Sequence, residues 1–357
     1  MSLAGTVPTP APTVTRARTV PAQTRSLAVT AGCLGLAVLL GLAVGSRGLT
    51  PAELLGVVTG SGTAEARAIV LDLRLSRTLA AVIAGAGLAV AGAVIQGHTR
   101  NPLADPGLLG VTSGAAVAVV LAIFLLGITD PAGYLWFCLL GALLGTVLVT
   151  AVGLAGARRR DASPAALVLA GAAVNALLAA VTGVLLLLDS ATLDVYRFWT
   201  VGSLAGGPDP EVLRVAGPFV LAGIVLALAH APALDALALG DDAAKSLGRN
   251  PLRTRLTGLA AVTLLAGGAV ACAGSLGFVG LVAPHVMRRV TGPGHRWLLP
   301  QCALAGGVLV LLADVIGRLV VHPAELPAGV VLGVLGAPAF IAIVVRHKNQ
   351  RNNQGRR

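Results

Sequence analysis

The sequence predicts an all-α integral membrane protein with about ten transmembrane helices. Of its 357 residues, 56% are hydrophobic and only 11% are charged, and the mean hydropathy is +0.87. A soluble domain carries roughly 25% charged residues, and a helix that crosses the bilayer needs about 20 predominantly apolar residues. The apolar sequence is long enough for that number of crossings with short connections, which favours one helical bundle over two domains.

Small residues dominate the apolar sequence, which bears on how the helices pack. The chain contains 46 glycines and only 3% aromatic residues. Small side chains let helix backbones approach closely where lipid supplies no hydrophobic driving force. Gly85, Ala89 and Ala93 recur every four residues and share one helix face. We interpret this face as part of general tight packing rather than as a dedicated dimer seam.

The first half of the chain contains five apolar runs. Residues 1–26 are rich in Pro, Thr and Ala, carry three arginines and predict a disordered basic tail. We interpret the run that follows as a retained helix rather than a signal peptide, because the tail is long for one and no clear A-x-A cleavage site is present. A polar connection over 45–72 separates the first run from the second, and an arginine cluster over 158–160 separates the fourth run from the fifth. The predicted crossings are 27–44, 77–97, 112–126, 133–154 and 164–188.

The second half contains five more runs, which follow a connection over 189–209 that holds Tyr196 and Trp199. The polar segment 238–255 precedes the seventh run, and Pro284 interrupts the short eighth one. The predicted crossings are 212–231, 256–273, 278–290, 297–321 and 329–345. We therefore expect one transmembrane domain over 27–345, followed by a second basic tail over 346–357.

The distribution of Lys and Arg predicts the orientation in the membrane. With ten crossings and both tails on one side, 19 of the 26 basic residues lie on that side, and basic residues concentrate in cytoplasmic loops. We therefore expect a multi-pass protein of the cell (inner) membrane with both termini cytoplasmic. In this topology the similar segments 84–97 and 266–277 run in opposite directions, as the inverted repeats of transporters do.

The sequence contains few candidate catalytic, nucleotide-binding or metal-binding residues. The segment ALGDDAAKSLG (238–248) is not a phosphate-binding loop, because Ala244 stands where glycine is required and the spacing is one residue short. The histidines have no cysteine or carboxylate at ligand spacing. We expect no nucleotide site, no metal site and no cofactor, and the dispersed basic residues do not form a nucleic-acid surface. The cysteines lie in apolar runs and are interpreted as small buried side chains, at Cys33, Cys138, Cys272 and Cys302.

Uphill transport by such a chain needs energy from a partner ATPase or from an ion gradient. Ion-coupled carriers place ionisable groups near mid-membrane, where each costs roughly 2.5–3.5 kcal/mol. The apolar runs are almost free of charged residues, and Asp314 is the exception. An ion pair with Arg318 one helical turn later can explain its presence without ion coupling. An ion-coupled secondary transporter stays an alternative. A membrane-embedded enzyme is a more distant one, because no nucleophile, base or metal set is clustered.

Several sequence blocks, all in order, resemble the FecCD-type permease family, the membrane subunits of ABC importers for iron-siderophores, haem and cobalamin. The blocks are RLSRTLAAVIAGAGLAVAGAVIQGHTRNPLADPGLLGVTSGAA, FWTVGSLAGG, ALGDDAAKSLG, GSLGFVGLVAPHVMRR with GHRWLLP, and ADVIGRLVVHPAELPAGVVLGVLGAPAF. The resemblance covers about 27–346 and implies a type II ABC importer permease-like bundle without bond chemistry of its own. It also implies a second permease subunit, identical or a sister, two copies of a cytoplasmic ABC ATPase and an external substrate-binding protein.

The resemblance further implies which residues contact the partners. Arg74, Arg77 and Arg318 match outward arginines that meet glutamates on the binding protein. Exposed ion pairs contribute only about 0.2–1 kcal/mol each, so we expect them to set the docking position and the encounter rate more than the affinity. The loop that docks into the ATPase corresponds to 240–248, with a solvated polar loop as the alternative reading. Its contact residues are Gly240, Asp241, Asp242, Lys245, Ser246 and Gly248.

The fifth crossing and its flanks resemble the channel lining and gates of the family. This places Asp161 and Ser163 at the inner mouth and Asn175 in the wall, while Pro284 interrupts a short helix of the kind that shapes a transport pathway. We therefore expect the permease subunit of an ATP-driven importer for a ferric siderophore or a related metal chelate. In the expected mechanism, ATP binding in the partner moves the 240–248 loop and then the fifth crossing, and hydrolysis resets them.

Overall fold

The computed structural model describes residues 20–45, 48–156, 164–321 and 324–354, and within these ranges every regular element is a helix. A π-helical turn (Ala68–Arg74) and a 3₁₀ turn (Pro106–Leu109) accompany the α-helices. The α-helices in order are α1 (Val20–Ala43), α2 (Pro51–Thr59), α3 (Ala64–Arg67), α4 (Leu75–Thr99), α5 (Val111–Leu126), α6 (Pro131–Gly156), α7 (Pro164–Leu188), α8 (Ser190–Val201), α9 (Pro210–Ala238), α10 (Asp241–Ser246), α11 (Pro251–Ala273), α12 (Val279–Thr291), α13 (His295–Val320) and α14 (Ala328–Gln354).

The membrane-spanning helices agree with the predicted crossings. Within the described ranges, seven helices are long and apolar enough to cross a membrane, namely α1, the continuous helix that includes α3 and α4, α6, α7, α9, α11 and α13. The helix α5 and the apolar part of α14 are shorter, and α12 is a helix of 13 residues that contains Pro284. Each of the ten predicted crossings therefore coincides with a helix, and the all-α membrane fold is confirmed.

Two predicted boundaries were wrong. The helix α1 begins at Val20 rather than at residue 27, so residues 20–26 are helical and do not belong to a disordered tail. At the other end, α14 continues to Gln354 and includes most of the predicted second tail. Arg, Lys and Gln are good helix formers, so a helix can continue after the apolar run that predicts it has ended.

The helix α4 lies at the centre of the bundle and contacts α9, α11, α12 and α13. Nearly all of its residues from Ser76 to His98 are buried. Its closest approach to α13 is at Gly85, where an added Cβ would lie 2.2 Å from the carbonyl oxygen of Gly306. At Gly92 an added Cβ would lie 1.9 Å from the carbonyl oxygen of Gly280 in α12. The small-residue face of α4 therefore serves close packing inside the subunit, as predicted.

The helices α4 and α11, which contain the two similar segments, run antiparallel. Gly87 of α4 lies against Leu265, whereas Gly258, nearer the beginning of α11, lies against His98 at the end of α4. The opposite directions expected for an inverted repeat are therefore present in the fold.

The residues predicted to contact partner proteins lie at two opposite ends of the bundle. We call the end that contains Arg74, Arg77 and Arg318 the arginine end; α1 and α13 finish there and α4 begins there. The opposite end, the α10 end, contains α10, the last residues of α4 and the first turns of α11. Consecutive crossings alternate in direction between the two ends.

One prediction about the cysteines was wrong. Cys138, Cys272 and Cys302 are buried as expected, but Cys33 is exposed. It lies on α1, which covers the outside of the bundle and has only Ala37 and Gly41 buried. An apolar run predicts burial in the membrane, and it does not distinguish protein neighbours from lipid.

Candidate functional site

Asp314 is the centre of the charged cluster at the arginine end. It is fully buried on α13, and both of its carboxylate oxygens accept hydrogen bonds from Arg77 of α4. The Arg77 Nε atom lies 2.9 Å from Oδ1 and 3.0 Å from Oδ2, and Nη2 lies 2.7 Å from Oδ1. The expected pair between Asp314 and Arg318 is also present. The carboxylate therefore connects α4 with α13 as well as neutralising a neighbour on its own helix.

Arg77 has a second acidic partner in the segment that leads into α14. Its Nη1 atom lies 2.6 Å from Oε2 of Glu325, and the Glu325 side chain keeps 20% of its surface exposed. Charge-assisted hydrogen bonds of this kind are among the strongest in proteins. One guanidinium group therefore holds together α4, α13 and the segment before α14.

The other two arginines bind the end of α1. Arg74 Nη1 donates to the carbonyl oxygens of Leu42 and Ala43, both at 2.8 Å. Arg318 Nη1 donates to the carbonyl oxygens of Gly41 at 2.9 Å and Val44 at 2.7 Å. The last carbonyl groups of a helix have no partner within the helix, and positive charge near them is favourable. The two arginines therefore satisfy the end of α1 and attach it to the bundle.

A partly open cavity of about 450 Å³ lies over this cluster. Three guanidinium groups and only one solvent-reaching carboxylate face it, since Asp314 lies below. The expectation that the arginines are exposed was wrong: Arg74, Arg77 and Arg318 are 5%, 8% and 3% exposed, because the end of α1 and the two carboxylates lie against their guanidinium groups. The cavity is lined by Gly45, Ile69, Leu73, Arg74, Arg77, Gly206, Gly207, Arg318 and Glu325.

The 240–248 segment projects from the α10 end and begins and ends with glycines in left-handed conformations. Gly240 has φ 114° and Gly248 has φ 75°, values that side chains other than glycine rarely adopt. Between them, Asp241 bridges two helices, because Oδ1 lies 2.7 Å from Arg100 after α4 and Oδ2 lies 2.7 Å from Arg255 of α11. The predicted contact residue Asp241 thus attaches the segment to the bundle.

The remaining predicted contact residues of this segment point outward. The Asp242 side chain is fully exposed, and the Lys245 side chain, 64% exposed, lies 3.3 Å from it. Ser246 donates through Oγ to the carbonyl oxygen of Ala243 at 2.9 Å. The exposed surface of α10 therefore presents one acidic and one basic group at a fixed position relative to α4 and α11.

Asn175 of α7 holds the 3₁₀ turn that follows α4. Its Nδ2 atom donates to the carbonyl oxygen of Gly107 at 3.0 Å, and an added Cβ at Gly171 would lie 2.0 Å from the carbonyl oxygen of Leu108. Asp105 caps the same turn by accepting from the Gly107 amide at 2.8 Å, and burial raises the pKa of Asp105. Asn175 thus links α7 to this turn, and its assignment to the pathway wall stays a prediction.

The other predicted pathway residues have different outcomes. Pro284 is buried inside α12. Asp161 and Ser163 lie outside the described residues. Asn175 contacts the 3₁₀ turn directly, whereas α12 approaches it through Gly280, which lies against Pro106 one helical turn before Pro284.

A buried polar link between α4 and α12 was missed by the sequence analysis. The Gln96 side chain donates to the carbonyl oxygens of Gly280 at 3.1 Å and Ala104 at 3.3 Å. Its Oε1 atom accepts from Arg288 Nη1 at 2.5 Å. A single glutamine in an apolar run was the available signal, because a buried amide must find partners. The link ties the end of α4 to both ends of α12.

Comparisons with known proteins agree over nearly the whole chain. The sequence model of the FecCD transport family matches residues 33–346. The ferric enterobactin transport system permease protein FepD of Escherichia coli (strain K12) is 42% identical over 327 residues, 91% of this chain and 97% of that protein. The hemin transport system permease protein HmuU of Yersinia pestis is 42% identical over 283 residues, 79% and 84% of the two chains.

A solved structure is similar over the same length. It is an inward-facing conformation of a transporter assigned to the metal-chelate type of ABC transporter, with a TM-score of 0.78 and 29% identity. The match covers 90% of this chain and 99% of that one. The bundle described above is therefore similar in both sequence and fold to permeases of ABC transporters.

Proposed function

Because this chain belongs to the FecCD transport family, we propose that it is the membrane-spanning permease subunit of an ATP-driven importer. Its substrate is a ferric siderophore or a related metal chelate, delivered by an external binding protein. The observation that carries the proposal is the 42% identity to a ferric enterobactin permease over 97% of that protein's length. The chain forms the transport path across the membrane, and two copies of a cytoplasmic ABC ATPase hydrolyse the ATP.

The arginine end is the proposed docking site for the binding protein. Three guanidinium groups line a cavity that opens at this end of the bundle, and two carboxylates leave the cluster with net positive charge. An acidic side chain of the partner can enter the cavity and compete with Glu325 for Arg77 Nη1. Since Arg74 and Arg318 already hold α1, docking at this cluster acts directly on the ends of α1, α4 and α13.

The α10 end is the proposed contact with the ATPase. Asp242 and Lys245 present exposed charges there, while Asp241 connects α10 to Arg100 and Arg255. A displacement of α10 by the ATPase would therefore pull on the end of α4 and the beginning of α11. Because α4 is the central helix of the bundle, this connection provides a route from ATP binding to the transmembrane helices.

The second permease subunit is proposed to cover the side of the bundle that contains α7. The helix is largely uncovered in a single subunit, and its side chains from Leu169 to Leu187 include several that are more than half exposed. The two subunits are proposed to form the transport path between them. Sequence alone assigns Asp161 and Ser163, which precede α7, to the inner mouth of this path. The uncovered face is apolar, which suits a path along which a bulky chelate moves without strong binding.

The proposed orientation places the α10 end in the cytoplasm and the arginine end outside. It follows from the excess of basic residues on the α10 side and puts both termini in the cytoplasm of a cell (inner) membrane protein. This orientation is also the one in which an ATPase reaches α10 and an external binding protein reaches the arginine cluster.

Reconstitution with candidate partners tests the proposed function. The full-length permease would be co-purified with an ATPase and a binding protein, placed in liposomes, and assayed for ATP hydrolysis and for uptake of a ferric siderophore. We expect both to depend on the binding protein and to stop when the ATPase is replaced by a variant that binds ATP without hydrolysing it. Uptake driven by a proton or sodium gradient without the ATPase would instead establish the ion-coupled alternative.

A further inference from the structure

A long apolar groove runs between α1 and the pair of helices α12 and α13, and it shares no lining residue with either site described above. Its volume is about 850 Å³, which lies within the range of about 300–1,000 Å³ typical of small-molecule sites. The helix α1 contacts α13 closely, but it leaves a gap beside α12 that side chains such as Val286 and Leu309 line. The groove is therefore a space between helices and not merely an uncovered helix face.

The dimensions of the groove match one leaflet of a bilayer. Its lining on α1 extends from Pro21 to Cys33, a rise of about 18 Å at 1.5 Å per residue. The hydrocarbon core of a membrane is about 30 Å thick, so one leaflet contributes about half of that. The groove thus extends from the α10 end of the bundle toward the middle of the membrane, the depth that one acyl chain covers.

Only one end of the groove is charged. Arg25 is the single charged residue among those that line it, and it lies near the beginning of α1, where Ser26 and Thr30 also line the groove. Within the described part of the chain, no carboxylate pairs with Arg25, and its side chain is exposed. A cation at the polar end of an apolar groove is complementary to an anionic headgroup attached to acyl chains.

We propose that the groove between α1, α12 and α13 binds an anionic phospholipid, with its phosphate at Arg25 and an acyl chain extending toward Cys33. The lipid fills the gap beside α12 and thereby supports the position of a helix that Gln96 and Arg288 connect to α4. Net charge selects the lipid: a zwitterionic lipid can fill the same space, but it lacks the net negative charge that Arg25 attracts.

Native mass spectrometry of the full-length permease tests the headgroup preference. The protein would be released from nanodiscs that contain equimolar dioleoyl-phosphatidylglycerol and dioleoyl-phosphatidylcholine, and the retained lipids counted. We expect phosphatidylglycerol to be enriched, and Arg25→Gln to reduce this enrichment about fivefold. Arg296→Gln is the matched control, because Arg296 is an exposed arginine at the same end that does not line the groove.

A second variant tests the apolar part of the site. Ala305 lines the groove from α13, so Ala305→Phe should fill it and remove the retained lipid. If that variant does not fold, the pair Arg25→Gln and Arg296→Gln decides the question, since both residues are exposed. Equal enrichment in wild-type protein and Arg25→Gln, or an equal loss in both arginine variants, would overturn the proposal.

The same groove could instead receive a second copy of this chain, and Cys33 distinguishes that outcome. It is the one exposed cysteine of the four. Oxidative crosslinking in membranes should leave the wild-type protein without a disulfide between two Cys33 residues. An efficient Cys33 crosslink would show that polypeptide covers this face and would contradict the lipid assignment. Because neither measurement uses transport, their outcome is independent of the proposed function.

Discussion

Arg77 of α4 and Asp314 of α13 form a buried ion pair in which two guanidinium nitrogens of the arginine contact the carboxylate. The residues are 237 positions apart in the sequence, and Arg318 contacts the same carboxylate. The pair lies at the edge of the bundle where α1 also ends. It is therefore both a structural connection between helices and the base of the proposed docking cavity.

Removing the Asp314 carboxylate should destabilise the protein strongly. Asp314→Ala leaves Arg77 and Arg318 buried without their shared partner, and breaking a buried ion pair in this way costs about 3–5 kcal/mol. Thermal unfolding of the purified permease in detergent would measure the loss. Asp194→Ala is the control, because it removes an exposed pair with Arg197 and should change stability by less than about 1 kcal/mol. Similar unfolding midpoints for the two variants would contradict a structural role for Asp314.

Neutralising Glu325 should strengthen docking of the binding protein. Glu325→Gln removes the negative charge that competes with a partner carboxylate for Arg77 Nη1, so we expect binding about three- to tenfold tighter, a difference of roughly 1 kcal/mol. Surface plasmon resonance with the permease in nanodiscs would measure it. Glu211→Gln changes an exposed acid near the start of α9, outside the cavity, and should have little effect. Unchanged or weaker binding in the Glu325 variant would contradict competition at Arg77.

Reversing the charge of Asp242 should uncouple the permease from the ATPase without unfolding it. The side chain is fully exposed, so Asp242→Lys removes a proposed contact while the bridge from Asp241 to Arg100 and Arg255 stays in place. We expect ATP hydrolysis stimulated by the binding protein to fall at least severalfold, with an unchanged unfolding midpoint. Asp241→Asn should instead lower the unfolding midpoint as well. Normal stimulation in the Asp242 variant would place the ATPase contact elsewhere.

Two glycine substitutions should separate the effect of close helix packing on stability from the effect of helix propensity. Gly85→Ala places a methyl group 2.2 Å from the carbonyl oxygen of Gly306, so the helices must separate, and overpacking of this kind costs about 1–3 kcal/mol. Gly35→Ala in α1 meets no atom within 4 Å and should be neutral or slightly stabilising, because alanine favours helix by up to about 1 kcal/mol. Thermal unfolding of both variants measures the difference. Equal stability of the two variants would show that α4 and α13 are not closely packed at Gly85.

Much of the candidate site could be predicted from the sequence, but its chemistry could not. The motif resemblance located Arg74, Arg77 and Arg318 and the 240–248 segment, because motif spacing is a property of the chain itself. It did not predict that the three arginines are buried or that Glu325 and Gln96 take part. These features depend on residues more than a hundred positions apart, and no local pattern reports such contacts.

The sequence by itself determined the membrane class, the ten helices and their approximate bounds, because the cost of placing a side chain in hydrocarbon is a local property of each run. It also determined where close packing is required, through the small residues of α4. Only the tertiary structure decided which charges neutralise one another, which predicted contact residues face outward, and which apolar surface stays uncovered. Those outcomes depend on how helices distant in sequence meet, since a buried charge or amide is satisfied only by the neighbours that folding brings to it.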